Sequence, residues 1–170
     1  MYTFDPDHPY TIVQPLNGES IASFLYRFRR AKGNRISSAS AFGKLIGIGF
    51  ATCRWEKLRF HPRPTQAELE ALSQATRIEV DRLNELFPLP GEALPPEQVR
   101  FCAACYLEEP CHRLAWHLKA TDSCDRHPLR LLPACPGCKK PFEVADALAA
   151  AGCQPCGMSF KSMKKRQRAC

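Results

Sequence analysis

Eight residues of this chain have the type and spacing to hold metal, and they fall in four pairs. The pairs are Cys102-Ala-Ala-Cys105, Cys124-Asp-Arg-His127, Cys135-Pro-Gly-Cys138 and Cys153-Gln-Pro-Cys156. A gap of two residues lets one tight turn aim two thiolates, or a thiolate and an imidazole, at the same ion. Two such turns supply the four tetrahedral ligands that structural zinc prefers. Eighteen residues separate the first pair from the second and fourteen the third from the fourth, spacings that suit zinc ribbons or treble-clef-like knuckles. Consecutive pairing predicts two zinc ions, one on Cys102, Cys105, Cys124 and His127, the other on Cys135, Cys138, Cys153 and Cys156. A cross-brace, with pairs one and three on one metal and pairs two and four on the other, uses the same ligands. Disulfides would need an oxidising compartment, and Met1 to Pro15 has neither a basic n-region nor an apolar h-region.

A catalytic zinc keeps one position open for water, whereas each of these sets fills all four from protein. No histidine (His8, His61, His112, His117, His127) has a glutamate two residues on, so the zinc-deaminase signature is absent, and so is His-Glu-x-x-His. There is no Gly-x-x-x-x-Gly-Lys-Ser/Thr loop for ATP. Cys111-His112 is adjacent in sequence and leaves a thiol enzyme as a minor alternative. Cys111 and His112 are also spare ligands by spacing, while Cys53 and Cys170 have no partner motif. Both metals therefore read as structural and the chain as no enzyme, with no small-molecule substrate.

The 170 residues leave room for one or two small domains, and 15 Pro with 10 Cys make the chain stiff and rich in ligands. No apolar run approaches a membrane span, and thiols kept for metal predict the cytoplasm. The net charge is +7, falling to about +4 once the thiolate sites carry zinc. It is unevenly spread. Arg27 to Arg63 carries ten Lys and Arg against Glu56 alone, whereas Pro64 to Glu97 carries two against seven acids. The end of the chain holds Lys161, Lys164, Lys165, Arg166 and Arg168 with no acid. Only such local patches are candidates for touching phosphate. The candidate contact residues are Arg27 and Arg30, which with Arg29 lie off the apolar stripe of their helix and so are solvated or held against an acidic partner. Lys164, Lys165, Arg166 and Arg168 join them, read as a disordered, phosphate-seeking arm or else a solubilising terminus.

The elements that carry these residues follow from periodicity. Residues 1–15 read as an extended arm. Asn17 or Ser20 caps a helix with Ile21, Phe24, Leu25, Phe28 and Ala31 on one face, stopped at Gly33-Asn34. Ser37 or Ser38 starts a second helix that ends at Gly47/Gly49. Phe50 to Phe60 reads as irregular, with Trp55, Leu58 and Phe60 as core plugs. Thr65-Gln-Ala-Glu68 is a capping box, and Val80 to Phe87 marks another short helix, so that 16–87 forms a helical domain with a helix-turn-helix-like unit. The second helix of that unit carries Glu79, Asp81 and Glu85 against Arg82, a poor charge for a groove lined with phosphates. Residues 88–97, with four prolines, read as a linker. Zinc modules at 98–132 and 133–160 follow, with Leu114, Trp116 and Leu118 packing around the metal, and then a basic tail at 161–170. The fold class is mainly α with small zinc-bound β.

Pro15-Leu-Asn-Gly-Glu-Ser-Ile-Ala-Ser-Phe-Leu-Tyr-Arg resembles the opening Pro-x-x-Gly-Glu-Ser-Leu-x-Ser-Trp-Leu-x-Arg of TniQ family proteins, with Phe24 where that pattern has Trp. Arg100-Phe-Cys-Ala-Ala-Cys, Trp116, Cys124-Asp-Arg-His127-Pro-Leu and Leu131-Leu132-Pro-Ala-Cys135-Pro-Gly-Cys138 are similar to that family's zinc half. The resemblance implies target selection in Tn7-like DNA transposition in a bacterial cytoplasm. It implies an adaptor without transposase chemistry, which links a target-recognition complex on DNA to an AAA+ ATPase of the TnsC type. Longer relatives of the TnsD type read a DNA site through a large C-terminal region, which this chain is expected to lack. Short forms resemble the TniQ of CRISPR-associated transposons, where an RNA-guided effector complex with its guide RNA does the reading. A zinc-ribbon transcription regulator that binds duplex DNA directly is the alternative from another class.

Overall fold

The computed structural model describes residues 2–3 and 9–170, so the expected arm over 1–15 lies partly outside the described residues. Its two described ends pair as a short antiparallel ladder, β1 (Tyr2–Thr3) against β2 (Ile12–Val13). Ser20 caps α1 (Ile21–Arg30), its hydroxyl accepting from the N–H of Ser23, and Ile21, Phe24, Leu25 and Phe28 are buried on that helix. Ser38 caps α2 (Ala39–Leu45) in the same way. Residues 51–56, expected as irregular, form α3 (Ala51–Glu56), whose Trp55 is fully buried against Phe87. Thr65 and Glu68 close the capping box at the start of α4 (Gln66–Thr76). Arg77, in the left-handed region at φ 58°, turns the chain into α5 (Val80–Asn84). Phe24, Phe28, Phe42, Trp55, Leu72 and Leu83 join in the core of this helical half.

The second half has little regular structure. It consists of α6 (Ala103–Glu108), a 3-10 turn over Leu114–His117, α7 (Val144–Ala149) and α8 (Phe160–Lys164), joined by isolated β-bridges. Phe101 holds it together, with its ring 4.9 Å from Tyr106, 4.2 Å from Phe142 and 5.5 Å from Phe160. Trp116 packs on Tyr106 and His112 from within the 3-10 turn. Among the described residues no helix is long and apolar enough to cross a membrane.

Three expectations need correction. Residues 88–97 do not hang free between the halves. Ala93 bridges Leu118, the N–H of Leu94 donates to His117 O, and that of Lys119 donates to Glu92 O. Those bonds pin the proline-rich stretch along the metal half. The last ten residues are not a disordered arm either. Phe160, Met163 and Gln167 are buried, and Gln167 donates to Arg130 O and accepts from the N–H of Ala103. Leu129 bridges Ala169. A buried residue every third or fourth position seats a short helix even where charge dominates the composition.

The third correction concerns α1. Arg27, a candidate contact, is taken up by an acid of its own chain. Its Nη1 lies 2.6 Å from Oε2 of Glu19, a carboxylate with no exposed surface. Glu19 also accepts from the N–H of Leu16 and from Ser23 Oγ, and Ser23 Oγ accepts from the N–H of His112. Arg29 too is held by an acid, buried in a two-pronged pair with Glu56 at 2.6 and 2.7 Å. Arg30 is exposed and lies over the ring of Tyr26, 4.1 Å from its centroid. Buried carboxylates need such partners, and the pattern Gly-Glu-Ser-x-x-Ser-x-x-x-Arg supplies them within ten residues. Gly18 opens it at φ +67°, which a side chain would strain.

Candidate metal centres

Two knuckles build each centre. Cys102 is the N-cap of α6 and Cys105 lies in its first turn. Cys124 and His127 lie in a loop closed by the N–H of Cys124 donating to Leu129 O and by the bridge from Ser123 to Arg130. The second centre repeats one turn twice. The N–H of Lys139 donates to Cys135 O, and that of Gly157 donates to Cys153 O. Lys139 (φ 62°) and Gly157 (φ 70°) share the left-handed region one residue past the second cysteine of each pair. Bridges from Ala134 to Pro141 and from Gly152 to Ser159 close the two loops.

The ligand atoms converge in two sets, each with all its members within 4.8 Å of one another: Cys102, Cys105, Cys124 and His127, then Cys135, Cys138, Cys153 and Cys156. The pairing is thus consecutive, and the cross-brace is not formed. In the first set the Sγ atoms of Cys105 and Cys124 are 3.5 Å apart. In the second, Cys135 and Cys156 are 3.6 Å apart, and Cys138 and Cys153 are 3.7 Å apart. Four thiolates at about 2.3 Å from one tetrahedral ion would lie about 3.8 Å from each other. The donor sets therefore fit a four-coordinate, sulfur-rich metal, and each can hold one ion. Cys111, His112, Cys53 and Cys170 belong to neither set.

Electrostatics favours a thiolate at one cysteine of each set and opposes it at Cys105, and at Cys124 and Cys153, where burial raises the thiol. The thiol of Cys105 bonds to Cys102 and, with the N–H groups of Cys105 and Ala104, holds Cys102 well below the ordinary thiol range despite its burial. Cys105 is correspondingly pushed up, first by that same bond and then by burial. Burial raises Cys135, but the N–H groups of Cys138 and Gly137 together with the thiols of Cys153 and Cys156 outweigh it and bring it down to about 7. Neighbouring thiols resist losing several protons at once, and a cation resolves that conflict.

One supporting residue was not singled out from the sequence. His127 directs Nδ1 at the thiols, 3.3 Å from Cys105 Sγ, and its Nε2 lies 2.8 Å from Oε1 of Glu108. Arg126 holds the other oxygen of Glu108 at 3.1 Å. A carboxylate on the far nitrogen fixes the tautomer and ring orientation of a ligating histidine. Glu108 is held below the usual carboxylate range, first by the His127 bond. The signal was present in outline, because Glu108 stands three residues after Cys105 on α6 and so shares its face.

Cys111 and His112 do not resemble an activated pair. Burial pushes the Cys111 thiol up to about 11 and His112 down to about 3, so thiol and imidazole both stay neutral. An activated pair needs the opposite shifts. His112 Nδ1 faces Tyr106 Oη at 3.4 Å instead. Of the candidate contact residues, Arg27 is spent on Glu19, whereas Arg30, Lys164, Lys165, Arg166 and Arg168 are exposed.

The architecture is that of a small helical protein buttressed by paired Cys/His knuckles, with two closed tetrahedral donor sets. A family model for TniQ matches residues 10–131, well over half of the chain, and the chain belongs to the TniQ family. That match spans the Gly18-Glu19-Ser20 opening and all four residues of the first donor set. The second set lies beyond it and rests on the geometry above. No curated protein matches the chain. Membership places the protein in target selection for Tn7-like transposition, within a family of non-catalytic adaptors.

Proposed function

We propose that the chain is an adaptor that docks on an AAA+ ATPase of the TnsC type assembled on target DNA and joins it to an RNA-guided effector complex. The observation that carries the reading is the family match over 10–131 on a chain with two closed donor sets. Zinc is the metal proposed for both, since sulfur-rich tetrahedral sets with at most one imidazole suit it best. With all four positions filled from protein, its contribution is to hold the loops, and the four candidate contacts at the chain end, in place.

The helical half is the docking surface in this reading, because its charges divide along the chain into a basic segment (Arg27 to Arg63) and an acidic one (Glu68 to Glu97) that can orient an encounter. Arg27 drops out of that surface, leaving Arg30 with its exposed neighbours Lys32 and Arg35. The test is co-sedimentation with DNA-bound filaments of the ATPase and nucleotide. Arg30→Glu with Lys32→Glu should weaken recruitment while metal content and melting stay unchanged. If neither parent nor variant ever sediments, and the chain alone binds one duplex sequence tightly, the transcription-regulator reading replaces this one.

A further inference from the structure

The last residues of the chain make a fixed cationic face. Phe160, Met163 and Gln167 point inward, and Lys161, Lys164, Lys165, Arg166 and Arg168 are all exposed. Lys161 and Lys164 on α8 and Lys165 at its C-cap stand at positions i, i+3 and i+4, one side of the helix. Past the helix the backbone is tied to the first metal loop, with the N–H of Arg130 donating to Arg168 O at 2.8 Å and that of Cys170 to Pro128 O at 3.1 Å. Arg168 is thereby set beside Arg130, and α8 packs along α6, which carries Glu108.

Three acids of the metal half are already engaged, while Asp125 of the first metal loop has no ion pair among the described residues. Glu108 accepts from His127 and Arg126, Glu109 pairs with Arg113 and Arg126, and Asp122 pairs with Arg130. Among the described residues none of the five chain-end cations has a carboxylate within ion-pair distance. Five like charges held on an ordered backbone raise the local positive potential, and a polyanion that joins them relieves their repulsion. The face also lacks stacking groups. The large exposed apolar residues of the described chain are Leu45, Phe50, Leu89 and Leu107, and the one aromatic among them, Phe50, lies on the α2–α3 connection. Single-stranded nucleic acid is gripped by stacking bases on aromatic rings, and a cationic surface without them suits the phosphates of a duplex.

We infer that α8 and the first metal loop form a preorganised, sequence-independent clamp for the sugar-phosphate backbone of duplex DNA, with Lys161, Lys164, Lys165, Arg166 and Arg168 as its contacts. The clamp would give the adaptor a grip on the DNA flanking its filament. It does not depend on the ATPase, so the chain alone can be tested, and failure here leaves the docking reading standing. The experiment measures binding of the metal-loaded full chain to a short random-sequence DNA duplex over a series of salt concentrations.

Replacing Lys161, Lys164, Lys165, Arg166 and Arg168 together by Gln should flatten the log–log salt slope by about 4, close to 0.9 for each lost contact, and weaken binding by about tenfold or more at low salt. A control that replaces Lys32, Arg35, Lys44, Lys57 and Arg59 by Gln removes equal charge from the helical half and should change the slope by less than about 1. A milder variant, Lys161→Gln with Lys164→Gln and Lys165→Gln, keeps the test valid if the fivefold variant misfolds, and should shift the slope by about 3. An unchanged slope, or an equal loss in the control, overturns the clamp. So does tighter binding to a single strand of equal charge or to double-stranded RNA.

Discussion

Two carboxylates decide what the conspicuous charged residues of this chain do. Glu108 orients His127, and the cost of losing it falls on the first centre alone. Glu108→Ala should weaken metal binding there by about 10–100-fold, the usual effect of removing a carboxylate behind a ligating histidine. Competition with a chromophoric chelator should then show one weakened and one unchanged ion per chain. Two equally affected ions would mean that Glu108 acts through general stability and not through His127. Glu19 reverses the reading of Arg27. With the carboxylate fully buried, Arg27→Met would leave a charge without its counter-ion and should destabilise the protein by about 3 kcal/mol, as breaking a buried pair does. Denaturant unfolding of the metal-loaded protein measures it, and a loss below about 1 kcal/mol would place the pair with ordinary surface salt bridges. Charge reversal at Arg27 is therefore an unsuitable probe of docking, whereas Arg30, held only over the Tyr26 ring, is a fair one.

At the scale of elements, what the sequence made legible was whatever a local rule governs. The caps at Ser20, Ser38 and Thr65, the stripe of α1 and the four ligand pairs all follow from side chains within a few residues of each other. The helices α3, α7 and α8 were hidden because five or six residues are too few to show a period. They form because Trp55, Val144 and Met163 are each drawn into a core built by distant segments. The same distance hid the histidines between the ligand pairs. His112 and His117 have no exposed surface, and among the described residues His117 has at most a weak contact with the Leu94 backbone at its ring nitrogens. Burial, and then the nearby Arg100 guanidinium, lower His117 from its ordinary 6.5 to about 4. A folded value below the unfolded one means that the unfolded chain takes up the proton first. The stabilisation from a neutral His117 is thus complete above about pH 6.5 and lost as the pH falls towards 4. Acid also protonates the thiolates, so the informative quantity is a difference. His117→Phe keeps a ring against Phe60 and should flatten the fall in stability by about 1.4 kcal/mol per pH unit between those limits. Urea unfolding at saturating zinc over that range is the measurement, and parallel curves for parent and variant would show that His117 titrates normally.

For the whole molecule the question is whether the two halves are separate bodies, as the proline-rich stretch suggests in the sequence. The bonds between them say otherwise. The N–H of Ser20, the cap of α1, donates to His112 O, and the N–H of Leu114 donates to Gly18 O at 2.9 Å. Arg113 Nη1 donates to Asn17 O, so the chain between the ligand pairs is bonded to the Gly18-Glu19-Ser20 opening from His112 to Leu114. Packing follows the same line, for α1 lies against α7, and Ala22 and Leu58 of the helical half belong to the core of the metal half. Losing the metals should therefore do more than unravel residues 98–160. The start of α1 would lose its partners, Glu19 would lose the Ser23–His112 connection behind it, and Ala22 and Leu58 would face water. Chelation should give one cooperative loss of helical signal spanning both halves, and a fragment ending at Phe87 should melt well below the metal-loaded full chain. Hydrogen exchange decides between this and independent halves. After chelation, the amides of α1 and α3 should lose protection together with those of α6. If α1 to α5 keep their native protection while α6 to α8 exchange freely, the opening motif is a local brace for α1 and does not couple the metal centres to the helical half.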